Sequence, residues 1–120
     1  MLEKSIKERI ENYKKHEKNL TFLKELEELL SENDENALYE RFYKDLEFGT
    51  AGLRGMIGAG TNRMNSYVVA KATQGIANYL INEFSHLSKE GKLKAVIAFD
   101  SRNNSTEFAK MASLIFAGNG

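Results

Sequence analysis

The sequence contains neither cysteine nor proline. Without cysteine there is no disulfide scaffold, no thiolate zinc site and no cysteine nucleophile. That composition suits a reducing compartment. Without proline, helix ends and turns must be set by Gly, Asn, Ser and Asp. Neither sign of charge prevails, because 17 Lys and Arg offset 17 Asp and Glu. No strong field therefore marks a nucleic-acid or anionic-membrane partner. Long apolar runs are missing as well. The longest, Ala95 to Phe99, is far too short to span a bilayer, and the opening MLEKSIKERIENYKK lacks the apolar core of a secretory signal. At 120 residues, 42% apolar and 28% charged, the composition predicts a soluble, cytoplasmic chain of one domain at most.

What the sequence does contain begins with helical periodicity. Leu2, Ile6, Ile10 and Tyr13 form one stripe of an amphipathic helix over residues 2 to about 17. Leu20, Leu23, Leu26 and Leu30 repeat the pattern, and Ser31 to Asp34 reads as a connector that caps a third helix. On that helix Leu38 and Phe42 share a face flanked by Tyr39 and Tyr43. Breaks at Asn19 and at Ser31 to Asp34 prevent a sustained heptad register, which favours a helical extension packed on its own domain over a coiled coil. Glu25, Glu27, Glu28, Glu32, Asp34 and Glu35 read as a solvated face.

The central stretch, Leu46 to Asn65, holds Gly49, Gly52, Gly55, Gly58 and Gly60 together with Arg54 and Arg63. Glycines at this density let the backbone take positive φ and let another group approach closely. Leu46 to Phe48 and Leu53 to Ile57 are expected to pair as a hairpin across Gly49-Thr50-Ala51-Gly52. A helix capped by Asn65 or Ser66 follows, with Val69, Ala72, Ile76 and Leu80 on its buried face and Phe84 extending it. Gly75 inside it costs about 1 kcal/mol relative to alanine, which predicts close packing at that point. After a polar connector, Ser85 to Lys92, the segment Leu93 to Phe99 is the clearest strand. Its second half is apolar on both faces, as in a central strand of a covered, largely parallel sheet. Asp100-Ser101-Arg102-Asn103-Asn104 leads into a last helix, and Asn104 with Glu107 resembles a capping box. In open α/β sheets ligands bind beyond the carboxyl ends of the strands, where Asp100 to Arg102 would sit. A buried strand needs neighbours, and Gly118-Asn119-Gly120 resembles a helix end before a further strand. A continuation beyond residue 120 is the expectation.

The residues by themselves leave the chemistry open. No lysine occurs between Lys44 and Lys71, so a Walker A loop is excluded. Arg63 stands where a dinucleotide fingerprint needs glycine. A tight structural hairpin is the plainer reading. Arg54, between Gly52-Leu53 and Gly55, has room to turn its guanidinium to an anion. Arg102 has an equally plain alternative, pairing with Asp100. His16 and His86 fall on helix surfaces with no metal-ligating neighbours. An α/β domain that binds phosphate or a nucleotide, or a helical interaction module on an α/β scaffold, both satisfy these observations.

Phe48-Gly49-Thr50-Ala51-Gly52-Leu53-Arg54-Gly55, continued by Gly58-Ala59-Gly60-Thr61-Asn62-Arg63-Met64-Asn65, resembles the N-terminal signature of the phosphohexomutases. Lys71 to Leu80 and Ala98-Phe99-Asp100-Ser101-Arg102 stand in that family's order. The leading helices, ending in Glu40 to Leu46, resemble the bacterial phosphoglucomutase branch that includes phosphopentomutase-type members. Thr61 departs from the pattern, since family members commonly have proline there. The resemblance implies residues 1–45 as a helical extension and residues 46–120 as the first part of an α/β/α domain I. It implies a four-domain parent enzyme that interconverts glucose 1-phosphate and glucose 6-phosphate through a phosphoserine and glucose 1,6-bisphosphate, supported by Mg²⁺. Phosphopentomutase or phosphomannomutase activity is the alternative within the family. Neither the serine loop nor the aspartate metal loop is found in this sequence. The 120 residues are therefore expected to be inactive alone, to bind no cofactor, and to self-associate through unpaired sheet edges. Arg54 is the residue implied to reach the active-site phosphate, with Thr50, Ser101 and Arg102 as weaker cleft-lining candidates.

Overall fold

A computed structural model describes residues 2–50 and 52–120. The element order is α1 (Lys4–His16), α2 (Leu20–Ser31), α3 (Glu35–Phe42), β1 (Phe48–Gly49), β2 (Gly52–Leu53), α4 (Ser66–Glu83), α5 (Ser85–Lys89) and α6 (Ser105–Gly118). The chain divides into two compact units, one up to Val68 and one from Val69 onward.

In the first unit, α1 and α2 each pack on α3. The starts of α2 and α3 follow from polar caps in the absence of proline. The Asn19 side chain accepts from the Thr21 amide at 2.9 Å, and Asp34 accepts from the Ala37 amide at 3.1 Å. Asn33, at φ 54°, ends α2 in the left-handed region, which asparagine tolerates better than most residues. Ile6, Ile10, Tyr13, Phe22, Leu26, Leu38 and Phe42 form the core. Tyr13 meets the Phe42 ring edge to face, with centroids 5.5 Å apart, and meets Tyr67 in the same way at 5.4 Å. The predicted stripe on α2 is corrected in one respect: Phe22 is buried, whereas Leu20 is 79% exposed. Leu20 is the first helical residue, so it precedes the turn that faces α3. Tyr39 and Tyr43 remain partly exposed and stack on one another, as flanking positions should.

The expected hairpin is present but shorter. β1 and β2 pair antiparallel, Phe48 with Leu53 and Gly49 with Gly52. Ala51 lies outside the described residues. Gly52 adopts φ 101°, a conformation that favours glycine. The second strand stops at Leu53 rather than reaching Ile57. Gly55 lies against the Leu46 side chain, so that a Cβ there would come within 2.7 Å of Cδ1. Met56 and Ile57 turn instead to Met64.

The second unit contains the rest of α4, the short α5 and α6. On the part of α4 from Val69 onward the buried positions are Thr73 and Ala77, while Ile76 is exposed, so the inward face is rotated from the predicted Ala72–Ile76 line. Gly75 is exposed and nothing lies within 4 Å of a Cβ built on it. The close packing expected at that glycine does not occur. Gln74 and Asn119 exchange two amide hydrogen bonds, each 2.9 Å, joining α4 to the end of α6. Leu93 to Phe99 forms no strand, and among the described residues no backbone hydrogen bond pairs it with another segment. Val96 is 97% exposed. Apolar β-formers supply the propensity, but a strand exists only where neighbours satisfy its N–H and C=O groups. The expected capping box at α6 is absent too: Asn104 takes φ 66° and its side chain makes no cap bond.

Candidate functional site

The glycine-rich stretch consists of a pinned base and a projecting hairpin. The Leu46 amide donates to the Thr61 carbonyl at 2.8 Å, and the Met64 amide donates to the Met56 carbonyl at 2.8 Å. The Gly58 amide donates in turn to the Met64 carbonyl at 3.1 Å. Residues 47–55 thus leave and re-enter one loop, 58–65, at two closed points. Between those points lie β1, β2 and Arg54.

The base is held by the helices. Glu25 on α2 accepts from the Ala59 amide at 2.7 Å through Oε2 and from Arg41 Nη1 at 2.9 Å through Oε1. Arg41 Nη1 also donates to the Ala59 carbonyl at 3.1 Å, and its own carbonyl accepts from the Asn62 amide at 2.9 Å. One carboxylate and one guanidinium therefore grip both polar groups of a single buried residue. A charge-assisted bond such as Glu25 to the amide contributes about 1.5–3 kcal/mol. Gly60, at φ 126°, passes so close to α3 that a Cβ would stand 2.7 Å from the Arg41 carbonyl oxygen. Asn65, fully buried, donates to the carbonyls of Gly58 and Gly60 and caps α4 by accepting from the Val68 amide at 2.9 Å. It thus ties the loop to the helix that follows.

Further ties come from α1 and α3. Arg9 donates to the Phe42 carbonyl at 2.6 Å and to Thr61 Oγ1 at 3.1 Å, and pairs with Asp45. Thr61 Oγ1 donates to the Lys44 carbonyl at 2.8 Å. The hydroxyl at Thr61 thus makes two bonds that a proline at this position could not supply. Arg63, almost fully buried, donates to Glu40 through both terminal nitrogens. The Arg63 hydrogen bond holds the Glu40 carboxyl below its ordinary range. Beneath the loop the Tyr13 hydroxyl donates to buried Glu17 at 2.9 Å. Burial first, then the Glu17 charge, pushes the phenol far above its usual range.

The four residues singled out from the sequence occupy two places. Thr50 and Arg54 lie in the hairpin of the first unit, both exposed, and among the described residues Arg54 makes no hydrogen bond or ion pair. Ser101 and Arg102 lie in the exposed loop before α6. There Arg102 donates to Asp100 through its backbone amide at 3.0 Å and through Nε at 2.8 Å. The plain alternative for Arg102, a local pair with Asp100, is the arrangement observed. The Arg102 amide is the chief cause of a lowered Asp100 pKa. His16 and His86 are exposed, His16 contacting the Asn12 carbonyl at 2.8 Å. No group of three His, Cys, Asp or Glu that could hold a metal occurs among the described residues. In the same residues no helix is long and apolar enough to cross a membrane.

Sequence reasoning missed Glu25, Arg41 and Arg9. Glu25 sits in an acidic run and reaches partners 16 and 34 positions away, so no local spacing marks it. Asn65 was legible as a cap, though its grip on Gly58 and Gly60 was not.

Residues 45–120 match the model of the phosphoglucomutase/phosphomannomutase alpha/beta/alpha domain I, and the chain belongs to that family as a partial α/β domain preceded by N-terminal helices. It is 37% identical over 111 residues to a phosphoribomutase of Saccharomyces cerevisiae, covering 92% of this chain and 17% of that protein. Identity to a human phosphopentomutase is 36% over 110 residues, 87% of this chain and 18% of the relative. A phosphoglucomutase of Staphylococcus haemolyticus is 40% identical over 79 residues, 66% of this chain and 13% of that protein. The chain therefore spans less than a fifth of the length of these relatives. No solved structure matches it.

Proposed function

We propose that this chain is the opening of domain I of a cytoplasmic phosphosugar mutase, and that Arg54 is its contact to the phosphoryl group in transfer. The observation that supports the reading is the state of Arg54: exposed, without a partner among the described residues, and carried on a rigidly based hairpin. Phosphoryl transfer is mostly positioning and charge stabilisation, for which an always-charged, planar, bidentate donor is suited. The substrate we assign is glucose 1-phosphate, converted to glucose 6-phosphate through a phosphoserine and glucose 1,6-bisphosphate. In this reading the nucleophile and the Mg²⁺ ligands belong to other parts of the full-length enzyme. These 120 residues alone show no turnover in this reading.

A pentose phosphate is the second reading, and one observation favours it. The phosphoribomutase and phosphopentomutase relatives align over 92% and 87% of the chain, including the leading helices, against 66% for the phosphoglucomutase. Assaying the full-length enzyme with glucose 1-phosphate and with ribose 1-phosphate separates the two by kcat/KM. In the same enzyme Arg54→Ala should cost roughly 2–4 kcal/mol of transition-state stabilisation, the scale of a lost oxyanion donor. Wild-type kinetics in that variant would remove Arg54 from the site.

A further inference from the structure

The Glu25 carboxylate on α2 reaches across to hold the loop at Ala59. Three facts converge on it. It is drawn from an acidic helix face, it accepts the amide of a fully buried residue at 2.7 Å, and it is itself oriented by Arg41 at 2.9 Å. Arg41 closes the circuit on the Ala59 carbonyl and, through its own carbonyl, on Asn62. Two residues from α2 and α3 therefore set the position of Ala59 in every direction open to its peptide groups. Ala59 lies next to Gly58, whose amide is bonded to Met64, and Met64 is bonded to Met56. Met56 is two residues from Arg54. Among the described residues the hairpin itself receives no side-chain hydrogen bond, and the side chain packed beside Arg54 is Leu46 against Gly55, so the placement of Arg54 is inherited from the base.

We infer that Glu25 and Arg41 are positioning residues for Arg54: the helical region of the chain sets where the signature arginine stands by clamping Ala59. The inference rests on the reading of Arg54 as the phosphate contact. It assigns the N-terminal helices a part in the reaction, instead of leaving them as a detachable extension or a platform for a partner. A displacement of the order of 1 Å at a reacting contact is enough to cost up to about a hundredfold in rate, so a clamp several residues away can act on the chemistry without touching substrate.

A double-mutant cycle in the full-length enzyme tests it, because coupling separates positioning from general destabilisation. Glu25→Gln keeps the shape of the side chain but removes the charge that grips the Ala59 amide and Arg41. We expect it to lower kcat/KM about tenfold in the wild-type background, mainly in kcat. In an Arg54→Ala background the same substitution should change kcat/KM less than about twofold, since the group it positions is gone. Hydrogen exchange at the Ala59 amide should rise in Glu25→Gln, while exchange in the α1 core around Ile10 stays slow. An equal loss in both backgrounds, or no loss in either while Arg54→Ala remains impaired, overturns the clamp and leaves the Arg54 reading standing. If Arg54→Ala is itself kinetically silent, the Arg54 reading and this inference fall together.

Discussion

The unit from Val69 onward is richer in apolar residues than the unit up to Val68, yet its apolar content achieves less. In the first, seven large apolar side chains from three helices are buried, and the polar loop beside them is bonded to those same helices. In the second, the buried residues are Thr73 and Ala77, and the most apolar segment of the chain, residues 93–99, is largely exposed. Helices satisfy their own backbone and need only a face to pack. A strand must borrow its hydrogen bonds from neighbours. The contrast teaches that burial follows from backbone satisfaction as much as from hydrophobicity.

The largest test of the contrast is a pair of aromatic truncations. Phe42→Ala should destabilise the first unit by about 3–5 kcal/mol, because Phe42 is fully buried against Tyr13. Phe99→Ala, at a residue 63% exposed, should lie within roughly 0.5 kcal/mol of wild type. Urea unfolding followed by circular dichroism measures both, and equal losses would erase the difference drawn between the units. A pair of glycines sharpens it at a lower energy. Gly60→Ala forces a positive-φ backbone and a clash with the Arg41 carbonyl, and should cost roughly 1–3 kcal/mol. Gly75→Ala meets open space on an exposed helix face and should stabilise by about 0.5–1 kcal/mol. Destabilisation by Gly75→Ala would show that α4 carries a packed face there.

The smallest effect is the pH dependence of the Glu40–Arg63 pair. Arg63 lowers the Glu40 pKa in the folded state, so the unfolded chain binds the proton more tightly. The stabilisation is present above the unfolded carboxylate range and is lost as pH falls through the lowered folded value. Half of the Glu40 side chain is exposed, which keeps the effect modest. The melting temperature of Glu40→Gln should lie below wild type at neutral pH, with the gap closing in acid. A gap independent of pH would mean that the pair contributes by packing alone.

The amino-acid sequence by itself determined α1 to α4, since amphipathic spacing and caps at Asn19, Asp34 and Asn65 are local properties of a few residues. It did not determine α5, which lies in what reads as the polar connector Ser85 to Lys92, nor the start of α6, where Asn104 makes no side-chain cap. It determined the hairpin at Gly49 to Gly52, and its ordered motifs singled out Arg54 as the residue to watch. The tertiary structure alone decided what holds that hairpin. Glu25 reads as one acidic residue among several until α2 is packed on α3, when the carboxylate meets Ala59 and Arg41. The tertiary structure likewise decided the state of residues 93–99, whose strand propensity is strong and whose described surroundings contain no neighbouring strand to pair with. Contacts closed over tens of residues leave no periodic trace in the chain. Propensity without a partner leaves no strand in the fold.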